Sequence, residues 1–189
     1  MVCSRFQGDS FDTKEYWQER LSERYDLSGV GFSGVSRWYN WWLYRVRRDN
    51  FRRIVRSLDV GPTPRVLDIG SGTGFYIDQW KEVGAEQICG IDVADVAVQK
   101  LRARYPNYTF LQKDIGDPLP PKFDEKFDAI TAMDVLFHIV DNERYRQAVS
   151  NVYSLLRDGG YFVFTGNFVH SGSLESKHIV HRTIDDARE

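Results

Sequence analysis

The sequence has only two cysteines in 189 residues, Cys3 and Cys89, far apart and in no C-x-x-C spacing. That is neither a disulfide framework nor a zinc framework, so a reducing cytoplasm is the expected compartment. Long apolar runs are lacking too. Nowhere do the ~18 consecutive apolar residues of a membrane span occur, and the stretch from Met1 to Asp9 has no apolar core of the kind that opens a secretory leader. Charge of one sign is also missing: 25 Lys and Arg against 27 Asp and Glu give a formal net charge of −2. This balance predicts no bulk attraction to nucleic acid or to an anionic membrane surface. What the chain does have is apolar and aromatic material, 42% and 14% of its residues, which excludes a disordered polymer. A chain of this length buries about 70% of its unfolded surface and needs neither metal nor disulfide to hold a core.

Two parts differ in character. Residues 1–60 hold four of the five tryptophans and no strand-like run. Asp12 or Thr13 is suited to cap a helix running through Tyr16, Trp17 and Leu21 to about Tyr25. A Gly/Ser-rich turn over 28–36 follows, and then a long helix over about 37–58, with Phe51, Ile54, Val55 and Leu58 at the spacing of one buried face. Arg45, Arg48, Arg52 and Arg56 form a second stripe on that helix, read as a solvated face, with a phosphate-bearing or acidic substrate as the sharper alternative and nucleic acid as the last. From Gly61-Pro62 onward, short β-branched runs alternate with helical patterns. Strands are expected at 65–69, 87–92, 108–112, 127–133 and 161–165, with helices at about 73–83, 94–105 and 142–157. That alternation predicts an α/β fold, a doubly wound and mostly parallel sheet with ligands beyond the strand C-termini at the switch point. The expected division is an N-terminal helical cap or lid over 1–60 and a ligand-binding core over 61–189.

The loop Asp68-Ile69-Gly70-Ser71-Gly72-Thr73-Gly74 joins the first strand to a helix. Glycines there permit positive φ and a close ligand approach. A dinucleotide fingerprint, G-x-G-x-x-G/A, fails: counted from Gly70 its third glycine falls on Phe75, and from Gly72 on Ile77. Asp68 would also repel a pyrophosphate. A nucleotide-dependent oxidoreductase is therefore disfavoured, whereas a cationic ligand would gain from that carboxylate.

The run Val66-Leu67-Asp68-Ile69-Gly70-Ser71-Gly72-Thr73-Gly74 resembles the signature loop of class I S-adenosylmethionine-dependent methyltransferases. The resemblance extends over roughly 62–170. Asp92 closes strand 2, where the family's acidic residue accepts hydrogen bonds from the ribose hydroxyls. Lys113-Asp114-Ile115 follows strand 3, where the family sets an Asp at the adenine amino group. Phe127 to Met133 resembles the fourth strand, and Leu155 to Gly160 the turn into strand 5. The resemblance implies S-adenosyl-L-methionine as cofactor, held by Asp68, Gly70, Ser71, Gly72, Thr73, Gly74 and Phe75, by Asp92 and Val93, by Asp114 and Ile115, and by Met133 and His138. Asp128, at the opposite end of its strand, is expected to be structural.

The implied reaction is in-line methyl transfer to O or N of a small-molecule acceptor, with the protein supplying proximity, alignment and exclusion of water. His138, just past strand 4, is the candidate catalytic base; a cofactor or substrate contact, or packing, are its other readings. Trp38, Tyr39 and Trp42 of the N-terminal segment and Asn167 after strand 5 are the candidate acceptor contacts. The region after strand 4 lacks the Pro-Pro-Tyr-type motif of amino-methylating nucleic-acid enzymes. A metal-dependent catechol-type site would need a second Asp where Gly166-Asn167 stands. His178 and His181, with His170 and Glu175 nearby, lack a convincing fourth ligand, so no metal is expected. About 24 residues follow strand 5, ending in what reads as the start of a helix; the family's last antiparallel hairpin is expected to be missing, leaving a sheet edge open to a partner or a second copy. The alternative to an enzyme is a non-catalytic S-adenosylmethionine-binding module.

Overall fold

The computed structural model describes residues 12–31, 34–119, 126–166, 168, 174–176 and 179–183. Five parallel strands form the sheet: β1 (Arg65–Ile69), β2 (Gln87–Asp92), β3 (Thr109–Gln112), β4 (Phe127–Ala132) and β5 (Leu156–Phe164), in the order β3-β2-β1-β4-β5. The chain moves outward from β1 to β3 and then returns to the other side of β1 for β4. The switch point therefore lies between the C-terminal ends of β1 and β4.

Both faces of the sheet are covered, which is why its strands read as nearly continuous apolar runs. On one face Val66 and Ala129 pack with Phe51 and Val55 of α3 (Arg37–Arg56), Ile77 and Trp80 of α4 (Phe75–Glu82), and Val98 and Leu101 of α5 (Asp95–Arg104). On the other, Leu67, Ile69 and Ile130 meet Tyr145, Ala148, Val152 and Leu155 of α6 (Asn142–Leu155). The polar residues of the first face are linked: the Trp80 Nε1–H donates to Thr131 Oγ1 (3.4 Å), whose hydroxyl donates to Asp68 Oδ1 (2.6 Å). Asp128, at the far end of β4, accepts from the Arg65 backbone N–H (2.6 Å) and pairs with Arg157, a structural part as expected.

The N-terminal helices α1 (Thr13–Glu23) and α2 (Leu27–Val30) lie against the sheet's ligand end through Leu21, Trp17, Tyr25 and Val30, which pack on Ala94 and Ala97 at the start of α5. Asp12 caps α1, its carboxylate accepting from the Lys14 and Glu15 N–H groups at 2.8 and 3.1 Å. We expect Asp12→Ala to cost about 1 kcal/mol in denaturant unfolding, as lost N-caps typically do. No helix among the described residues is long and apolar enough to cross a membrane.

Three expectations are corrected. The 28–36 turn contains the short helix α2, capped by the Asp26 carboxylate. Ile54 lies outside the buried face of α3, a helical step of about 100° from Val55. β5 begins at Leu156 rather than Tyr161, because its first residues pair irregularly with β4: Phe127 opposes Leu156, and after a bulge Ala129 opposes Tyr161. The five-stranded sheet carries no antiparallel hairpin among the described residues, and β6 (Leu174–Ser176) pairs with β7 (Ile179–His181) as a separate two-stranded unit beyond it. Arg182 ties its end to the body by donating to Ile139 O (2.9 Å) and Asn142 Oδ1 (3.0 Å) and by lying over the Tyr145 ring. The expected helical start at 184–189 falls outside the described residues.

Candidate active site

A cavity of about 910 Å³ opens at the switch point. Its floor is the loop after β1. Gly70 and Gly74 take φ of +70° and +81°, which L side chains rarely adopt. A Cβ on Gly70 would come within 2.4 Å of Val135, and one on Gly74 within 2.9 Å of Leu101. The loop is held from β2: the Gly70 and Ser71 N–H groups donate to Ile91 O, and the Gly72 N–H donates to Asp92 Oδ2 at 2.8 Å. From the N-terminal segment, the Tyr25 hydroxyl donates to Gly72 O (2.9 Å).

Asp92 is buried yet lines the cavity. Its second oxygen accepts from the Ala94 N–H (2.9 Å), and the Val93 N–H also acts on the carboxyl. Burial raises its pKa, against the lowering effect of those N–H groups. Asp68 lies behind the loop, out of the cavity lining. Burial pushes its carboxyl up to about 7 despite hydrogen bonds from Thr131 and Ser71, and its Oδ2 has no hydrogen-bond partner among the described residues. Two buried carboxylates under a glycine loop repel a pyrophosphate and stabilise a cation. These acceptors therefore fit a ligand that carries an ammonium and a sulfonium and no phosphate.

Of the residues singled out in the sequence, Gly70, Ser71, Gly72, Thr73 and Phe75 line the cavity, as do Asp92 and Val93, Asp114 and Ile115, and Met133 and His138. Gly74 joins Asp68 behind the loop. Asp114 is already engaged, its Oδ1 accepting from the Gly116 N–H (2.8 Å) and its Oδ2 from Arg144 (2.8 Å), which Asp117 shares. His138 sits in a short 3₁₀ turn, Leu136–His138, with its ring edge-to-face against Trp17 at 5.3 Å between centroids. Trp38, Tyr39 and Trp42 are corrected: all three are exposed and none lines the cavity. Asn167 lies outside the described residues. Among the described residues no three His, Cys, Asp or Glu side chains converge on a metal-holding geometry.

α3 reaches the cavity with other residues than those expected. Tyr44 lines it beside Phe75 (4.8 Å, edge-to-face), and burial pushes its hydroxyl up to about 12. Tyr76 lines it from α4. Near them stands Asp134, at φ +60° the one non-glycine residue with positive φ among those described. Its N–H donates to Thr165 Oγ1 (2.6 Å), whose hydroxyl donates back to Asp134 Oδ1 (3.0 Å), while Arg47 pairs with Oδ2 and lies over the Tyr44 ring. A left-handed non-glycine residue costs about 1 kcal/mol or more and is concentrated at functional sites. Helical phase was the available signal for Tyr44: it shares a face with Asn40, Phe51 and Val55, all buried, whereas Trp38 and Trp42 lie opposite.

A family model described as a methyltransferase domain matches residues 66–160, half of the chain. The chain belongs to the class I S-adenosylmethionine-dependent methyltransferases. Among its relatives are nodulation protein S of Rhizobium tropici, 26% identical over 62% of this chain and 49% of that protein, and the mRNA cap guanine-N(7) methyltransferase of Cryptococcus neoformans, 30% identical over 61% of this chain and 22% of that one. Among solved structures it is similar to the N-methyltransferase NodS of Bradyrhizobium japonicum in complex with S-adenosyl-L-homocysteine, at TM-score 0.56 and 26% identity, covering 66% of this chain and 62% of that one. The chain thus spans half or less of the length of these two curated relatives. The methyltransferase's glycine loop, Asp92 and Asp114 all fall inside the matched segment, whereas Tyr44 and Arg47 lie outside it.

Proposed function

We propose that this methyltransferase transfers the methyl group of S-adenosylmethionine to N or O of a small-molecule acceptor. The observation that carries this reading is the sign of the cavity lining: six aspartates (Asp12, Asp92, Asp114, Asp117, Asp134 and Asp141) face three cations, Lys14, Lys113 and Arg144. A phosphate polymer would enter against that field, whereas an amine or alcohol would not.

When bound, S-adenosylmethionine supplies an electrophilic methyl group on a sulfonium. In this reading the backbone of the Gly70 to Gly74 loop, with Ser71 and Thr73, holds the amino-acid end, and Asp68 contributes its field from behind. Asp92, which lines the cavity, takes the ribose hydroxyls. Val93, Ile115 and Met133 enclose the adenine, with Asp114 at its amino group. Tyr44, Phe75 and Tyr76 wall the acceptor side, where the Asp134 carboxylate accepts a hydrogen bond from the acceptor's neutral amine or hydroxyl and takes the proton that this group gives up on methylation. Trp17 and His138 close the cavity against water, which strengthens each of these interactions. In this reading His138, whose ring meets Trp17 edge-to-face, serves as a wall of the cavity.

The test is methyl transfer from labelled S-adenosylmethionine to panels of small amines, small hydroxy compounds and RNA. Label is expected in a small-molecule product. Label in RNA alone overturns the acceptor assignment, and binding of cofactor with no product from any panel supports the non-catalytic module. His138→Ala is expected to raise KM while keeping kcat within about threefold. A loss of about a hundredfold or more in kcat with unchanged circular dichroism would make it the general base instead.

A further inference from the structure

The net charge of −2 conceals a strong local excess. Helix α3 carries seven arginines, no lysine and a single acidic residue, Asp49. Its inward face is occupied by Asn40, Tyr44, Phe51 and Val55. Its outward stripe runs Trp38, Trp42, Arg45, Asp49, Arg53 and Arg56, at helical spacings of three and four. At 1.5 Å per residue this is a straight ridge of about 27 Å. Trp38 is 70% exposed and Trp41 49%, exposures that leave large indoles in water at a cost the core packing does not require. The aromatic half of the ridge adjoins the basic half, and the Arg45 guanidinium lies over the Trp41 and Trp42 rings at 5.6 and 5.9 Å. At the basic end, Arg52, Arg53, Arg56 and Ser57 with Asp49 line a hollow of about 510 Å³.

We infer that this outward face of α3 docks on the surface of an anionic phospholipid bilayer. Indoles seat at the headgroup level with their polar edge in water and their body among the upper acyl segments. Guanidinium groups pair bidentately with phosphate and are weakly hydrated, so they approach lipid headgroups at low desolvation cost. The hollow between Arg52, Arg53 and Arg56 is the seat for one such headgroup phosphate. A straight convex ridge lies tangent to a plane, so all its side chains reach a bilayer together. Single-stranded nucleic acid fits less well: it needs exposed ring faces in series, and here Trp38 and Trp42 cross at 72° and Trp41 and Trp42 at 82°. The acidic cavity and the basic ridge then divide the work of the chain, one taking a small acceptor and the other holding the protein at an anionic surface. The docking inference stands on α3 alone and does not depend on the acceptor.

The experiment is flotation of the 189-residue chain with phosphatidylcholine vesicles, pure or carrying about 30% phosphatidylserine. Partitioning onto the anionic vesicles is expected to exceed that onto neutral ones by about tenfold or more and to collapse in high salt. Arg53→Glu with Arg56→Glu is expected to abolish it, and Trp41→Ala to weaken it severalfold, each with S-adenosylhomocysteine affinity unchanged as proof of folding. Equal partitioning onto both vesicle types overturns the inference. So does a salt-sensitive complex with a single-stranded oligouridylate in the absence of vesicle binding.

Discussion

Asp92→Ala is expected to weaken S-adenosylhomocysteine binding by at least about a hundredfold, or about 2.7 kcal/mol. Two losses combine. The ribose loses a charged acceptor, worth about 1.5–3 kcal/mol per hydrogen bond, and the loop loses the bond from the Gly72 N–H that shapes it. Asp92→Asn is expected to be nearly as damaging. Both carboxylate oxygens accept from backbone N–H groups, of Gly72 and Ala94, so an amide in that place must turn its own NH₂ toward one of them. Calorimetric titration of both variants, with circular dichroism as the folding control, measures this. An affinity within threefold of the parent protein would mean that Asp92 serves the loop alone.

Asp68→Asn is expected to act in opposite directions on stability and on binding. Burial pushes the Asp68 carboxyl up to about 7 in the folded protein, whereas an unfolded chain titrates it near ~3.9. The folded state therefore binds the proton more tightly. The stability this contributes is complete below about pH 4 and is lost as pH rises through about 7. Burial raises Asp92 as well, so it adds a slope of the same sign. Without ligand, the Asn variant should be more stable than the parent at pH 8, on the order of 2 kcal/mol, and should lose part of the decline between pH 4 and 7. Its affinity for S-adenosylmethionine should nevertheless fall about tenfold at pH 8, because the cationic ligand loses a facing charge. Thermal unfolding between pH 5 and 8, with and without ligand, measures both. A parent curve that is flat across this window, or a variant that binds the cation equally well, would remove Asp68 from the ligand's field.

The glycine loop and the strand ends were legible because local chemistry specifies them. Positive φ at Gly70 and Gly74 admits few residues, and a short β-branched run such as Arg65–Ile69 has few other uses in a chain of this composition. Asp92 and Asp114 were singled out through the family resemblance, Asp92 ending β2 and Asp114 following β3 by two residues. The acceptor side was legible only in part. Tyr44 and Arg47 belong to a helix that touches the cavity at one phase, and the crowd of tryptophans at 38–42 drew attention to the opposite phase. The Asp134–Arg47 pair joins residues far apart in sequence, and no local pattern announces such a contact. The bulge in β5 is of the same kind, since it depends on the register against Phe127 and Ala129 in another strand. The separate C-terminal hairpin lacked a periodic apolar signal, its strands being three residues each.

The cavity between β1 and β4 suits a phosphate-free cation carrying an adenosine. The most direct measurement is a pair of calorimetric titrations of the parent protein at neutral pH, one with S-adenosylhomocysteine and one with NADH. Micromolar binding of the first, displaceable by S-adenosylmethionine, is expected, with no heat from the second. Binding of NADH with no response to S-adenosylhomocysteine would contradict it.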